Sequence, residues 1–307
     1  MIDKIKGLLV NNNVLSIITD LTPLLESASG AYVFSADEKY VIKYTNISEL
    51  NSNAQSSLKK EYEFYKICDN KFEFIPEVIF HYSNENEWLI VFKKYQAIKD
   101  NEWTEKLQNQ AMEMCARIHA MDTRDFSELF NKNNAKQWDE NTHTLDVSLE
   151  SWSKLQKRFP QNIDISLLNE MYKNFDDAIS YADKIFIPKT LCHGDYHPWH
   201  FLQSGNEAVI CDWQNADIGN GVGDVAFFIS RGETRLNIDR DILITAYIQH
   251  LSKYANIKID KNDMLKHIAI SEFDVSFRFW ADYLQNGSLE SVMKIYSKMV
   301  KSYKLLV

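Results

Sequence analysis

The 307-residue sequence is short of the residues that punctuate or staple small folds: 5 prolines, 9 glycines and 4 cysteines. That scarcity excludes collagen-like and linker-like tracts, and no internal repeat or low-complexity stretch interrupts the chain. Cys68, Cys115, Cys192 and Cys211 stand apart without a C-x-x-C pair, which argues against a zinc knuckle or a disulfide framework and fits a reducing compartment. No run of 18 or more apolar residues is present to cross a bilayer. Met1-Ile2-Asp3-Lys4 carries an acid early and no continuous apolar core of a secretory signal follows, so a cytoplasmic protein without a membrane partner is expected. Positive charge is scarce too: 34 basic residues against 43 acidic ones give a net charge of -9. That sign opposes an extended nucleic-acid face and suits capture of a cationic ligand.

What is present is enough to bury a core. Hydrophobic residues make up 45% of the chain and aromatics 13%. The length exceeds the usual single-domain range of roughly 100 to 200 residues, so two lobes sharing one site are expected, divided as residues 1–95 and 96–307. Strand-like runs at residues 31–34, 40–44, 78–82 and 88–92 are separated by turn residues, and residues 54–69 change to the spacing of an amphipathic helix. From about residue 100 the helical period dominates, around 102–121, 145–158, 165–183, 239–254, 261–285 and 288–304. Short strands at 190–193 and 208–211 flank a loop rich in polar and ring side chains. The fold class is α+β, a sheet-rich part with one helix followed by a larger helical part.

The densest chemistry lies in His193-Gly194-Asp195-Tyr196-His197-Pro198-Trp199-His200, followed by Asp212 at a strand end and by Gly219, Gly221 and Gly223 before Asp224. A carboxylate on a loop after a strand is placed to accept a hydroxyl proton, and a second carboxylate further on is placed to hold a metal. The pair suits phosphoryl transfer, where positioning and charge neutralisation supply most of the rate. Such chemistry also needs a cation for phosphates. Lys43, at the end of the apolar run Val41-Ile42-Lys43, is the candidate, and Glu61 or Glu63 on the following helix is its prospective partner.

These motifs in order resemble the aminoglycoside phosphotransferase and choline-kinase-like family of the protein-kinase-like superfamily. His193-Gly194-Asp195, Asp212-Trp213 and Gly219 through Asp224-Val225-Ala226 match its H-G-D-x-x-x-x-N and D-[WF]-x…G-x-x-x-x-D-[LV]-A pattern, and Cys115 to Met121 matches its L-A-x-L-H-x-L helix. The resemblance spans about residues 24–230. It implies a protein-kinase-like two-lobe fold, ATP or GTP as phosphate donor, and Mg²⁺. It further implies that Asp195 is the catalytic base, that Asp212 is a metal ligand, and that Lys43 contacts phosphates while Glu61 holds it. Ser27, Ala28, Ser29 and Gly30 stand where the family covers the phosphates with small residues.

One departure stands out: five residues after the base, where the family has asparagine, this chain has His200. Mg²⁺ prefers oxygen ligands, so His200 implies Mn²⁺ or another ion, a histidine turned away, or weakened catalysis. His193 reads as a prop for its loop, Asp224 as a residue that orients it, and His119 as a core histidine. His197 and Trp199 read either as acceptor-pocket walls or as packing. Glu272 and Asp274, in the ring-rich segment 271–283, read either as ligands of a cationic acceptor or as the wet side of an amphipathic helix. The acceptor favoured is an aminoglycoside, with choline, homoserine, a macrolide or a sugar as alternatives. A nucleotide-binding pseudokinase and a metal-dependent hydrolase built on the histidine cluster are the readings from other classes. No obligate protein partner is indicated.

Overall fold

Alternation in Tyr40–Asn46 sends Ile42 and Tyr44 to one face of a strand and Val41 and Lys43 to the other, and this division organises the sheet-bearing part of the protein. The computed structural model describes residues 1–14, 18, 20–26, 30–131, 144–184, 188–205 and 207–307. Helix α1 spans Ile2–Asn11, and five strands follow: β1 (Leu21–Glu26), β2 (Tyr32–Ala36), β3 (Tyr40–Asn46), β4 (Val78–Ser83) and β5 (Glu87–Lys93). They form one antiparallel sheet in the order β1-β2-β3-β5-β4, with Lys43 opposite Val33 on one side and Ile90 on the other. Phe34, Ile42, Tyr44, Leu89 and Val91 bury one face of this sheet against Ile5 and Leu9 of α1. The other face carries Lys43 toward helix α2, Ser52–Cys68, which starts on an Asn51 side-chain cap and stops where Asp69 turns left-handed.

Compactness does not divide the chain at a single cut near residue 95. One unit comprises Met1–Thr104, Asp122–Asn134 and His193–Ile218; the other comprises Glu105–Met121, Ala135–Cys192 and Gly219–Val307. The loop at His193–Ile218 joins the sheet-bearing unit for reasons visible in its packing. Strand Phe201–Ser204 pairs with Gln96–Ala97 and with Glu207–Ile210, and Trp213 stacks on Phe64 of α2 with ring centroids 4.3 Å apart. Lys60 of α2 also donates to the Ala216 carbonyl at 3.1 Å.

The second unit is helical. Helix α3, Glu105–His119, packs with Arg240–Ala255, and a separate cluster centred on Trp152, Phe273, Phe277, Val292 and Met299 joins the helices Leu145–Arg158, Lys261–Val275 and Leu289–Lys304. The helix expected over 261–285 contains a π turn at Ser276–Trp280. Side chains of the facing helix accommodate it: Trp152 Nε1 donates to the Phe277 carbonyl at 3.1 Å and Ser148 Oγ to the Arg278 carbonyl at 2.9 Å. Among the described residues no helix is long and apolar enough to cross a membrane.

Candidate active site

Lys43, Glu61, Asp195, His197, Trp199, His200 and Asp212 all fall in the sheet-bearing unit. Lys43 Nζ lies 2.6 Å from Glu61 Oε2 and 3.7 Å from Asp212 Oδ1. Burial works against the ammonium, but the Glu61 and Asp212 carboxylates outweigh it and raise the Lys43 pKa above its ordinary value, so the lysine stays charged. Glu63 lies at the surface beside Lys66, 3.8 Å away, so the partner of Lys43 is Glu61. Lys43, Glu61 and Asp212 line a cleft of about 230 Å³ whose apolar walls include Val33, Val41, Phe92 and Leu202.

The loop bearing Asp195 is fixed by its own sequence. His193 is fully buried; its Nδ1 accepts from the Asp195 N–H at 3.2 Å and its Nε2 donates to the Cys211 carbonyl at 3.0 Å. One imidazole thus ties the residue before Asp212 to the backbone of Asp195. Gly194 has φ +78°, and a Cβ there would stand 2.1 Å from the Asn215 carbonyl oxygen, so only glycine fits. Asp212 also has positive φ, +70°, a conformation that aspartate tolerates better than most residues and that occurs at functional turns. Trp213 Nε1 holds that turn by donating to the Ile210 carbonyl at 2.9 Å.

The two carboxylates differ in their surroundings. Asp195 Oδ1 is 3.7 Å from His197 Nε2, while His200 donates from Nδ1 to the Asp195 carbonyl at 2.9 Å. Asp212 Oδ2 is 3.4 Å from His200 Nε2, and its buried Oδ1 has no hydrogen-bond partner among the described residues. A carboxylate oxygen left without a donor in a cleft that already holds a lysine fits a divalent cation, for which Asp212 and His200 offer an oxygen and a nitrogen. His197 and His200 lie against each other with ring centroids 3.8 Å apart, and Trp199 Nε1 donates to Asp100 Oδ1 at 3.1 Å. Asp100 carried no signal in the sequence; its role depends on a pairing across nearly a hundred residues.

Other predicted residues lie elsewhere. Ser27 and Ser29 fall outside the described residues, and Gly30 is exposed with φ +85°. Glu272, in the helical unit, is only 7% exposed and receives Arg240 at 2.6 and 3.0 Å, Lys298 at 2.9 Å and Ser302 at 3.2 Å. Its carboxylate is taken up by cations of its own unit, so it stands neither on the wet side of an amphipathic helix nor open to an acceptor, as expected of a buried acid, which needs such partners. Asp274 is paired with Arg278 at 2.5 and 2.7 Å. His119 and Asp224 also belong to the helical unit, where His119 Nε2 is 3.2 Å from Asp224 and its Nδ1 is 2.8 Å from the Tyr247 hydroxyl. Burial pushes the Cys192 and Cys211 thiols up to about 12, which leaves both protonated and unreactive at neutral pH.

The sequence matches the model of the phosphotransferase enzyme family over residues 20–257. The chain belongs to that family. As a family member it is a kinase of small molecules that transfers phosphate to an alcohol group. No curated protein sequence matches it. Solved structures similar to this phosphotransferase share its fold at low identity. Aminoglycoside 2'-phosphotransferase-IIIa in its GDP complex is 13% identical with TM-score 0.63, the match covering 97% of each chain. An amicoumacin kinase in complex with AMP-PNP and Ca²⁺ is 12% identical with TM-score 0.59, covering 100% of this chain and 96% of the other. A choline/ethanolamine kinase family protein from Mesorhizobium loti is 14% identical with TM-score 0.59, covering 99% and 94%. The α+β class and the kinase-like fold expected from the sequence are therefore those of the protein.

Proposed function

We propose that this phosphotransferase moves the γ-phosphate of ATP or GTP onto a hydroxyl of a small cationic acceptor, with an aminoglycoside as the first candidate. The observation that carries the reading is the placement of Lys43 against both Glu61 and Asp212, with one Asp212 oxygen left without a donor. In the reaction the acceptor oxygen forms a bond to the γ-phosphorus while the bond from that phosphorus to the β-bridging oxygen breaks, releasing the nucleoside diphosphate. The Asp195 carboxylate orients the acceptor hydroxyl and takes its proton. Lys43, kept charged and in place by Glu61, neutralises the donor phosphates. Asp212 and His200 hold the divalent ion, which when bound screens the phosphate charge. Val33, Val41, Phe92 and Leu202 supply apolar contact for the base.

A cationic acceptor is supported by the net charge of -9 and by the Trp199 ring and Asp100 carboxylate in the same unit as Asp195. Structures with this fold include kinases named for aminoglycosides and for choline or ethanolamine, which are all amines. The test is transfer of labelled γ-phosphate from ATP and GTP to aminoglycosides, choline, ethanolamine, homoserine, a macrolide and simple sugars. Label on an amine acceptor supports the reading, and label only on neutral sugars replaces the acceptor class. Nucleotide binding without any product places the acceptor outside this panel.

A further inference from the structure

His200 sits in a geometry with a consequence for metal choice, on the assumption that the site is the kinase site proposed above. Its Nδ1 lies 2.9 Å from the Asp195 carbonyl oxygen. A carbonyl only accepts, so Nδ1 carries a proton and Nε2 is the ring nitrogen left to serve as a metal ligand. That nitrogen faces Asp212 Oδ2 at 3.4 Å. The separation is close to the edge between two ligands of an ion bound at about 2.0 to 2.2 Å. A backbone carbonyl accepting from the opposite ring nitrogen is also the arrangement that orients metal-bound histidines.

Asp195, His197 and His200 form an adjacent cluster whose donor atoms lie within 4.8 Å of one another. Its histidine atoms are committed to protons. His197 Nδ1 accepts from the Trp199 N–H at 3.2 Å, which places the His197 proton on Nε2, the atom 3.7 Å from Asp195. The His200 atom 3.9 Å from Asp195 Oδ2 is the protonated Nδ1. An ion there breaks into the protonated nitrogens of both rings, whereas an ion held by His200 Nε2 and Asp212 leaves the Nδ1 hydrogen bond to the Asp195 carbonyl in place. We infer that His200 Nε2 and Asp212 form a mixed imidazole–carboxylate site that selects a first-row transition ion over Mg²⁺. Mg²⁺ demands oxygen ligands and gains little from imidazole, while Mn²⁺, Co²⁺ and Zn²⁺ accept the nitrogen with rising affinity.

The test is Mn²⁺ binding to the full chain labelled with ¹⁵N-histidine, followed by pulsed electron paramagnetic resonance, with Mg²⁺ competition and a non-hydrolysable ATP analogue in parallel. The expected result is a directly bonded ¹⁵N coupling that persists in His197→Gln and disappears in His200→Asn. Loss of that ligand is expected to weaken Mn²⁺ binding by roughly 10- to 100-fold while Mg²⁺ binding is unchanged or tighter. Mn²⁺ bound without nitrogen coupling in the unmutated protein, or an Mn²⁺ to Mg²⁺ affinity ratio unchanged in His200→Asn, overturns the inference. Binding of the analogue reports separately on the assignment of the nucleotide site: analogue bound with an unchanged ratio removes only the metal inference, and nitrogen coupling without analogue binding supports it while removing that assignment.

Discussion

At the scale of single residues, the loop chemistry depends on a few side chains whose conformations are dictated locally. Gly194 is the clearest case, because its positive φ and its approach to the Asn215 carbonyl both forbid a Cβ. Gly194→Ala is expected to destabilise the protein by more than about 1 kcal/mol and to lower turnover at least tenfold. Thermal melts and steady-state rates check both, and unchanged values place the loop elsewhere. The residues His193-Gly194-Asp195 and Asp212 were legible in the sequence because they form short runs with fixed spacing. The proton positions on His197 and His200 were not, since the backbone groups that decide them face the rings only after the loop folds. Glu272 misled for a related reason: its partners Arg240 and Lys298 are 32 and 26 residues away in the chain, so its neutralisation leaves no local signature.

At the scale of elements, the period-two text of β2 to β5 and the helical period of α2 were readable because one face of each is apolar. Helix α1 and strand β1 were harder. The first carries Gly7 in its middle, and the second carries Pro23 beside a register shift, which an edge strand tolerates because it has one unpaired side. The expected helix over 165–183 is interrupted at Asn174, and the one over 261–285 takes its π turn where Trp152 and Ser148 meet its carbonyls.

The sheet also stores a pH-dependent contact. Burial works against the Glu87 carboxylate, but donation from Lys4, Tyr44 and Asn84 outweighs it and holds the carboxyl below its ordinary range. A pKa lowered by folding adds stability that is complete above the unfolded value of about 4.3 and is lost as pH falls through the folded value. The unmutated protein should therefore lose more melting temperature between pH 5 and 3 than Glu87→Gln. Parallel profiles for the two would show that the contact contributes nothing to acid sensitivity.

At the scale of the whole molecule, the net charge of -9 and the family membership bear on the same event, phosphate transfer to a small acceptor. The compact units interleave along the chain because the Asp195 loop packs on the sheet-bearing part through Trp213 and Lys60, a pairing that no linear reading of composition exposes. Family order was legible across most of the chain, whereas acceptor identity was not, since amine recognition needs only a few acids and rings with no fixed spacing. The central claim is that Asp195 handles the acceptor proton while Lys43 and Asp212 manage the nucleotide. The measurement that tests it most directly compares single-turnover transfer and nucleotide affinity in Asp195→Ala and the unmutated protein. Transfer lower by about 10²- to 10⁴-fold with nucleotide affinity within about twofold is the predicted result; transfer at the unmutated rate would contradict it.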